Sequence, residues 1–157
     1  MIELYPLLKL AHLLGAAVLF GTGAGIAFFM LMAHRSGDPA FIARTGDLVV
    51  KADFLFTATA VVAQPVTGLW LAFHVGYDLL SGWILASVTL YVFTGLCWLP
   101  VVWIQMRLRD LAREAAREKR PLDRRYRRLF RAWFILGWPA FAAVIAIFWL
   151  MIAKPDF

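Results

Sequence analysis

Residues 4–32 read LYPLLKLAHLLGAAVLFGTGAGIAFFMLM, and the rest of the chain is expected to pack around them. This run is apolar for longer than the roughly 20 residues that cross a bilayer as a helix, so it predicts a transmembrane helix. Lys9 and His12 interrupt it and share one helical face, which Gly15 and Ala16 continue. Lipid would leave an imidazole unsatisfied, so we expect this face to point into a helix bundle.

The opposite face of the same helix carries small residues at intervals of four: Ala17, Gly21 and Gly25. A ladder of this kind lets two helix backbones approach closely. We therefore expect this face to contact another helix, either inside the bundle, in a second copy of the chain, or in a partner membrane subunit.

Composition indicates an all-α polytopic membrane protein. The chain has 157 residues, of which 62% are hydrophobic, and its mean hydropathy is +0.74. Ordinary soluble domains are less apolar. The length fits one small membrane domain and leaves no room for a soluble catalytic domain.

Hydropathy predicts a single four-helix transmembrane domain over residues 1–157. The predicted spans are residues 4–33, 53–75, 83–106 and 131–153, with a basic cytoplasmic hairpin at 107–131. The loops after the first and third spans are basic, whereas the middle loop has no basic residue. The positive-inside rule then places both termini outside (N-out, C-out), in a bacterial inner (cytoplasmic) membrane.

Net charge gives a prediction about partners. The chain carries +6, and eleven of its sixteen basic residues fall between Arg107 and Arg131. Charge concentrated in one inter-helix loop favours contact with anionic lipids at the cytoplasmic face. No nucleic-acid-binding motif accompanies it, so we expect no nucleic-acid partner. Cys97 is alone, which excludes an intrachain disulfide framework.

Local signals place further helices. Asp38 followed by Pro39 predicts an N-cap and a first helical residue, hence a short interfacial helix or an early start to the second span. After the third span a charged helix is expected, with i,i+3 pairs such as Asp110 with Arg113. Leu122, Tyr126, Leu129 and Trp133 form an amphipathic stripe that is expected to lie at the membrane interface.

Two spans carry polar stripes at helical spacing, which predicts that these faces point into the bundle. The stripe of the second span comprises Asp53, Thr57, Gln64, Thr67 and His74. The stripe of the third span comprises Ser87, Tyr91, Thr94, Trp98 and Gln105. Asp53, at the start of its span, is interpreted as a helix-start carboxylate at the membrane surface.

His12 and His74 are the candidate metal ligands. The predicted topology puts both in the outer leaflet, on neighbouring helices and on inward faces, as haem b requires in a membrane four-helix bundle. Tyr91 could line the pocket and Lys9 could pair with a propionate. The alternatives are that each histidine only hydrogen-bonds across the bundle, and that Lys9 snorkels to the surface.

Several segments carry a family resemblance. Residues 8–12 (LKLAH) resemble the first-helix signature of the HemJ-type protoporphyrinogen oxidases. Residues 68–71 (GLWL) resemble the end of their second helix, and residues 125–130 with 154–155 resemble their last helix. The chain is more similar still to a family of predicted integral membrane proteins, domain of unknown function 2269, grouped with HemJ and the CopD copper-resistance proteins.

The resemblance to HemJ implies that His12 is a haem b ligand. That family also opens its third helix with Trp-x-His-x-Lys, whereas residues 83–87 here read WILAS. This departure weakens the case for porphyrinogen oxidation and leaves a haem site open.

Two functional hypotheses follow. The first is an integral membrane b-type haem protein that is redox-active or handles haem or porphyrin, and if an enzyme, a membrane oxidoreductase. The alternative is a cofactor-free accessory or interaction subunit of a larger membrane complex, with the first helix and the basic hairpin as its contact surfaces.

Overall fold

Between residues 4 and 156 the fold consists of five α-helices and one π-helical turn. A computed structural model describes residues 4–156, and that part of the chain contains no strand. The helices are α1 (Leu4–Ser36), α2 (Pro39–Ala52), α3 (Ala58–Val75), α4 (Gly82–Arg117) and α5 (Arg124–Ala153), with the π-helical turn at Asp53–Thr57.

Four continuous helical rods are long and apolar enough to cross a membrane. They are α1, the rod Pro39–Val75 that joins α2 to α3 through the π-helical turn, α4, and α5. The predicted all-α four-helix membrane architecture is therefore confirmed. The rods contain 30 to 37 residues, hence roughly 45–55 Å at ~1.5 Å per residue, whereas the hydrocarbon layer is only about 30 Å thick.

The surplus length lies at one end of the bundle. We call this the basic end, since it carries residues 34–52 and 106–131; the terminal end carries both chain termini and the loop 76–81. At the basic end Gly37 turns the chain with φ of 67°, and Asp38 accepts a hydrogen bond from the backbone N–H of Ala40 at 2.9 Å. The predicted helix start at Asp38 and Pro39 is confirmed, as an early start to the second rod.

The main hydrophobic core lies at the basic end and draws on α1, α2, α4 and α5. Its buried members are Ile26, Met30, Ala33, Ile42, Ala43, Val49, Ile104, Leu108, Ala112, Tyr126, Phe130 and Trp133. The stripe that contains Tyr126 and Trp133 therefore faces this core and does not lie on the membrane interface as expected. The reason is that α2 supplies an apolar face for it to cover.

Packing is different in the rest of the bundle. There α1 packs on α3 and α4 packs on α5, and the smaller buried cluster at the terminal end consists of Ala72, Trp83, Ile84 and Leu150. The two helix pairs meet where Phe20 of α1 stacks on Phe141 of α5, with ring centroids 4.9 Å apart.

Two of the ion pairs at the basic end join α4 to α2. Arg113 pairs with Asp47 of α2, and Arg109 approaches the same carboxylate at 3.7 Å. The expected pairing of Arg113 with Asp110 is therefore not formed. Arg113 pairs with Asp47 because Gly46 brings α2 and α4 into close contact. A Cβ atom at Gly46 would lie 2.8 Å from Arg109 Cβ.

This close approach predicts the effect of a side chain at position 46. Gly46→Leu should lower the free energy of unfolding by about 1–3 kcal/mol, since the added atoms force α2 away from α4. Thermal unfolding in detergent measures the change. Gly95→Leu is the matched control, because a Cβ atom at Gly95 meets nothing within 4 Å. Equal melting temperatures for the two variants would contradict the packing described.

Candidate functional site

His12 is held between α1 and α3 by a defined hydrogen bond. Its Nδ1 lies 2.9 Å from Thr67 Oγ1. The Thr67 hydroxyl donates its own proton to a carbonyl oxygen of its helix, that of Ala63 at 2.8 Å. With that proton directed to Ala63, Thr67 has lone pairs free to accept from His12, an arrangement that corresponds to the imidazole tautomer with its proton on Nδ1. In that tautomer Nε2 carries the lone pair, and the hydrogen bond that the ring makes to another side chain within residues 4–156 is made by Nδ1.

Two glycines make this arrangement possible. The His12 ring lies against Gly68, where a Cβ atom would sit 3.0 Å from the imidazole Cε1. Gly15 makes room for the Gln64 amide, which donates to the backbone carbonyl of His12 at 2.9 Å. The space beside Gly15 is thus filled by Gln64. Gln64, a buried residue, was not among the predicted site residues, although it belongs to the inward polar stripe.

The structure does not bring His74 to His12. His74 is exposed and its ring stacks on Tyr5, with centroids 6.0 Å apart. Counted from Thr67, His74 lies seven residues further along α3, roughly 10 Å at ~1.5 Å per residue. Metal–nitrogen bonds are about 2 Å long, so one iron cannot bind both rings as they are placed. The structure thus does not bring the predicted pair of axial ligands, His12 and His74, together.

Tyr91 and Lys9 also lie away from the imidazole. The Tyr91 hydroxyl donates to the carbonyl of Val61, which precedes Thr67 by six residues, roughly 9 Å along α3. The Lys9 side chain is exposed, with its Nζ 5.9 Å from the centroid of the Tyr5 ring. Within residues 4–156 no group of three or more His, Cys, Asp or Glu side chains is arranged to hold a metal ion.

A second polar site surrounds Asp53, which is only 4% exposed. Its carboxylate accepts hydrogen bonds from Gln105 Nε2 at 2.7 Å and from Trp98 Nε1 at 3.4 Å. Gln105 Oε1 in turn accepts from Trp133 Nε1 at 3.3 Å. This chain of contacts connects the second rod to α4 and α5. Asp53 is therefore not the surface carboxylate expected from the sequence.

The π-helical turn explains how Asp53 enters the interior. The Ala58 N–H bonds to the Asp53 carbonyl five residues back, and the widened turn puts Asp53 and Thr57 on one buried face. None of the ion pairs within residues 4–156 involves Asp53, so neutral donors alone satisfy it. The Thr57 hydroxyl is buried on the same face, next to the Asp53 carboxylate. In the sequence, the polar stripes of the second and third spans indicated this site.

Four membrane-crossing rods with two intramembrane polar sites define a polytopic four-helix membrane protein. More particularly, the chain belongs to the family described as predicted integral membrane protein (DUF2269), whose model matches residues 6–155. The resemblance to this family is therefore confirmed. No curated protein and no solved structure matches the chain.

The Asp53 site predicts a graded response to substitution. Asp53→Leu should lower the stability by about 2–4 kcal/mol, because the Gln105 and Trp98 N–H groups lose their acceptor in a dry interior. Asp53→Asn keeps one acceptor oxygen and should cost less. Chemical unfolding in detergent measures both.

Thr59→Val is the control for the Asp53 variants. The Thr59 hydroxyl is exposed and bonds only to carbonyls of its own helix, among them that of Leu55 at 2.7 Å. It should unfold like the wild type. If Asp53→Leu also unfolds like the wild type, the hydrogen bonds around Asp53 do not hold the rods together.

Proposed function

We propose that this protein is an integral membrane b-type haem protein in which His12 is the axial ligand of the iron. The observation that carries the proposal is the hydrogen bonding of the His12 imidazole. Its Nδ1 lies 2.9 Å from Thr67 Oγ1, and in the tautomer with the proton on Nδ1 the Nε2 lone pair is available to a metal. Metal-bound histidines characteristically donate the other ring N–H to a neighbouring acceptor, which fixes the tautomer and the ring orientation.

The described residues offer one histidine ligand for the iron and not two. A haem held by one histidine keeps an open coordination position, whereas a pair of histidines closes both. When bound, haem b supplies one-electron redox chemistry. Thr67 orients the ligand, and Gly68 provides the flat surface against which the ring lies. Lys9, one turn from His12, is the cation that could reach a propionate.

Porphyrinogen oxidation is not part of the proposed function. The HemJ element Trp-x-His-x-Lys is absent at residues 83–87, and the structure offers no replacement there. Trp83 and Ile84 are buried in the cluster at the terminal end, and the Ser87 hydroxyl donates to the carbonyl of Trp83 at 2.7 Å. The proposed role is therefore electron transfer or haem handling, in place of porphyrinogen oxidation.

The proposed setting is a bacterial inner membrane, with the basic end of the bundle in the cytoplasm. The support is the asymmetry of the loops, because the loop 76–81 at the terminal end has no Lys or Arg. His12 would then lie in the outer half of the bilayer, open to redox partners outside the cell.

Absorbance spectroscopy tests the haem proposal. Protein purified from a haem-replete host should show a Soret band, and His12→Ala should abolish it because the iron loses its ligand. His74→Ala is the matched control and should leave the band unchanged, since His74 lies at a different level of the bundle. Thr67→Val should keep the band and weaken haem affinity about 10–100-fold, as removal of a supporting hydrogen bond does.

A chemical rescue separates loss of the ligand from loss of the fold. His12→Gly purified with added imidazole should regain the band, because free imidazole can occupy the vacated position. A colourless wild-type protein after haem supplementation would refute the proposal. An unchanged spectrum of His12→Ala would refute it as well.

The second candidate function is a cofactor-free accessory subunit, and the free face of α1 favours it. A Cβ atom at Gly21 or Gly25 meets nothing within 4 Å, and Ala17 and Gly21 are exposed. Within residues 4–156 the Cβ positions of these two glycines thus meet no neighbouring helix, which supports a contact of the ladder outside this bundle. A second copy or a partner subunit remains to cover it.

This candidate predicts that Gly21→Leu changes assembly and not folding. The leucine would keep a neighbouring helix of another molecule at a distance, so the elution volume on size exclusion should move toward the monomer. The melting temperature of the monomer should stay constant. Gly23→Leu is the control, because Gly23 lies on the other side of α1 and its Cβ position is also free. An elution volume that neither variant alters would contradict a role for the ladder.

A further inference from the structure

Four arginines follow one face of α5 at the basic end. Arg124, Arg127, Arg128 and Arg131 stand at helical positions i, i+3, i+4 and i+7, so their side chains form one stripe about 10 Å long. They line a shallow groove of about 230 Å³. The opposite face of this helix holds Tyr126, Phe130 and Trp133 in the core, which fixes the backbone that presents the four cations.

These arginines have no carboxylate partner within residues 4–156. The acids of the basic end are engaged elsewhere: Asp47 and Asp110 with Arg109, and Glu114 and Glu118 with Arg120. Asp123 accepts from the backbone N–H of Tyr126 at 2.7 Å. The polar contact that the stripe makes is from Arg127 to the carbonyl of Leu122 at 3.3 Å. The groove therefore carries four arginines that form no ion pair, beside the single negative charge of Asp123.

The arginine stripe continues directly into a lipid-facing surface. Along the same face of α5 the next residues are Phe134, Ile135 and Trp138, which are 40%, 60% and 63% exposed. Exposed large apolar side chains on a membrane-crossing helix contact acyl chains. The arginines thus stand at the level where phosphate groups meet the hydrocarbon, and a free anion in solution would gain nothing from the apolar continuation.

We propose that this face of α5 is a binding site for an anionic phospholipid that carries two phosphates. Guanidinium groups bind phosphate oxygens in a bidentate manner, and four of them along two helical turns exceed what a single phosphodiester neutralises. Acyl chains of the same lipid cover Phe134, Ile135 and Trp138. The site is independent of the haem proposal, because it lies at the opposite end of the bundle from His12.

Binding of diphosphatidylglycerol to the purified full-length protein tests the site. Native mass spectrometry or a fluorescence titration in neutral detergent gives the dissociation constant. The variant R128Q/R131Q should bind about tenfold or more weakly, as expected for two basic residues at a charged membrane surface. The control R35Q/R44Q removes the same charge from exposed arginines of the same end, and should bind within about twofold of the wild type.

Three further measurements distinguish the alternatives. R128K/R131K should recover part of the affinity, because lysine keeps the charge and loses the bidentate geometry. Phosphatidylglycerol, with one phosphate, should bind more weakly than the two-phosphate lipid. Inorganic pyrophosphate should not compete at similar concentration. Equal loss in R128Q/R131Q and R35Q/R44Q would mean diffuse surface charge and would overturn the proposal, as would effective competition by pyrophosphate or an unaffected R128Q/R131Q protein.

Discussion

The absence of water from the hydrocarbon layer governs how this bundle is held together. Apolar side chains gain little by leaving lipid for one another, so the hydrophobic effect can build a core only where water competes. The rods exceed the membrane thickness, and the main core lies at the basic end, where their surplus length and charged residues are. Inside the membrane, hydrogen bonds connect the helices: His12 with Thr67 between α1 and α3, and Asp53 with Gln105 between the second rod and α4.

The two intramembrane polar sites differ in one respect that bears on function. The Asp53 carboxylate accepts hydrogen bonds from the N–H groups of Gln105 and Trp98 on α4, so these bonds join two helices. At His12 the side-chain hydrogen bond is made by Nδ1, so in the tautomer with the proton on Nδ1 the Nε2 atom is available as a metal ligand. Polar groups in a membrane are costly, and one with unused bonding capacity calls for a function beyond packing. This contrast is why the haem proposal rests on His12.

Family membership and site chemistry answer different questions about this chain. The match over residues 6–155 establishes an integral membrane protein of one family, which agrees with the four rods. Function has to be argued from the sites, because a four-helix bundle hosts unrelated activities.

Periodicity alone determined much of this structure: four membrane helices, inward polar stripes and the helix start at Asp38 all follow from the order of residues along one helix. What periodicity does not encode is the level at which side chains of different helices meet. Gly21 and Gly46 are both glycines within helices, yet only Gly46 has a neighbour in contact with it. Asp53 is buried because a π-helical turn directs it toward Gln105, and His74 lies away from His12 because helix register offsets them. Register and close approach depend on both partners of a contact, so tertiary packing decided them.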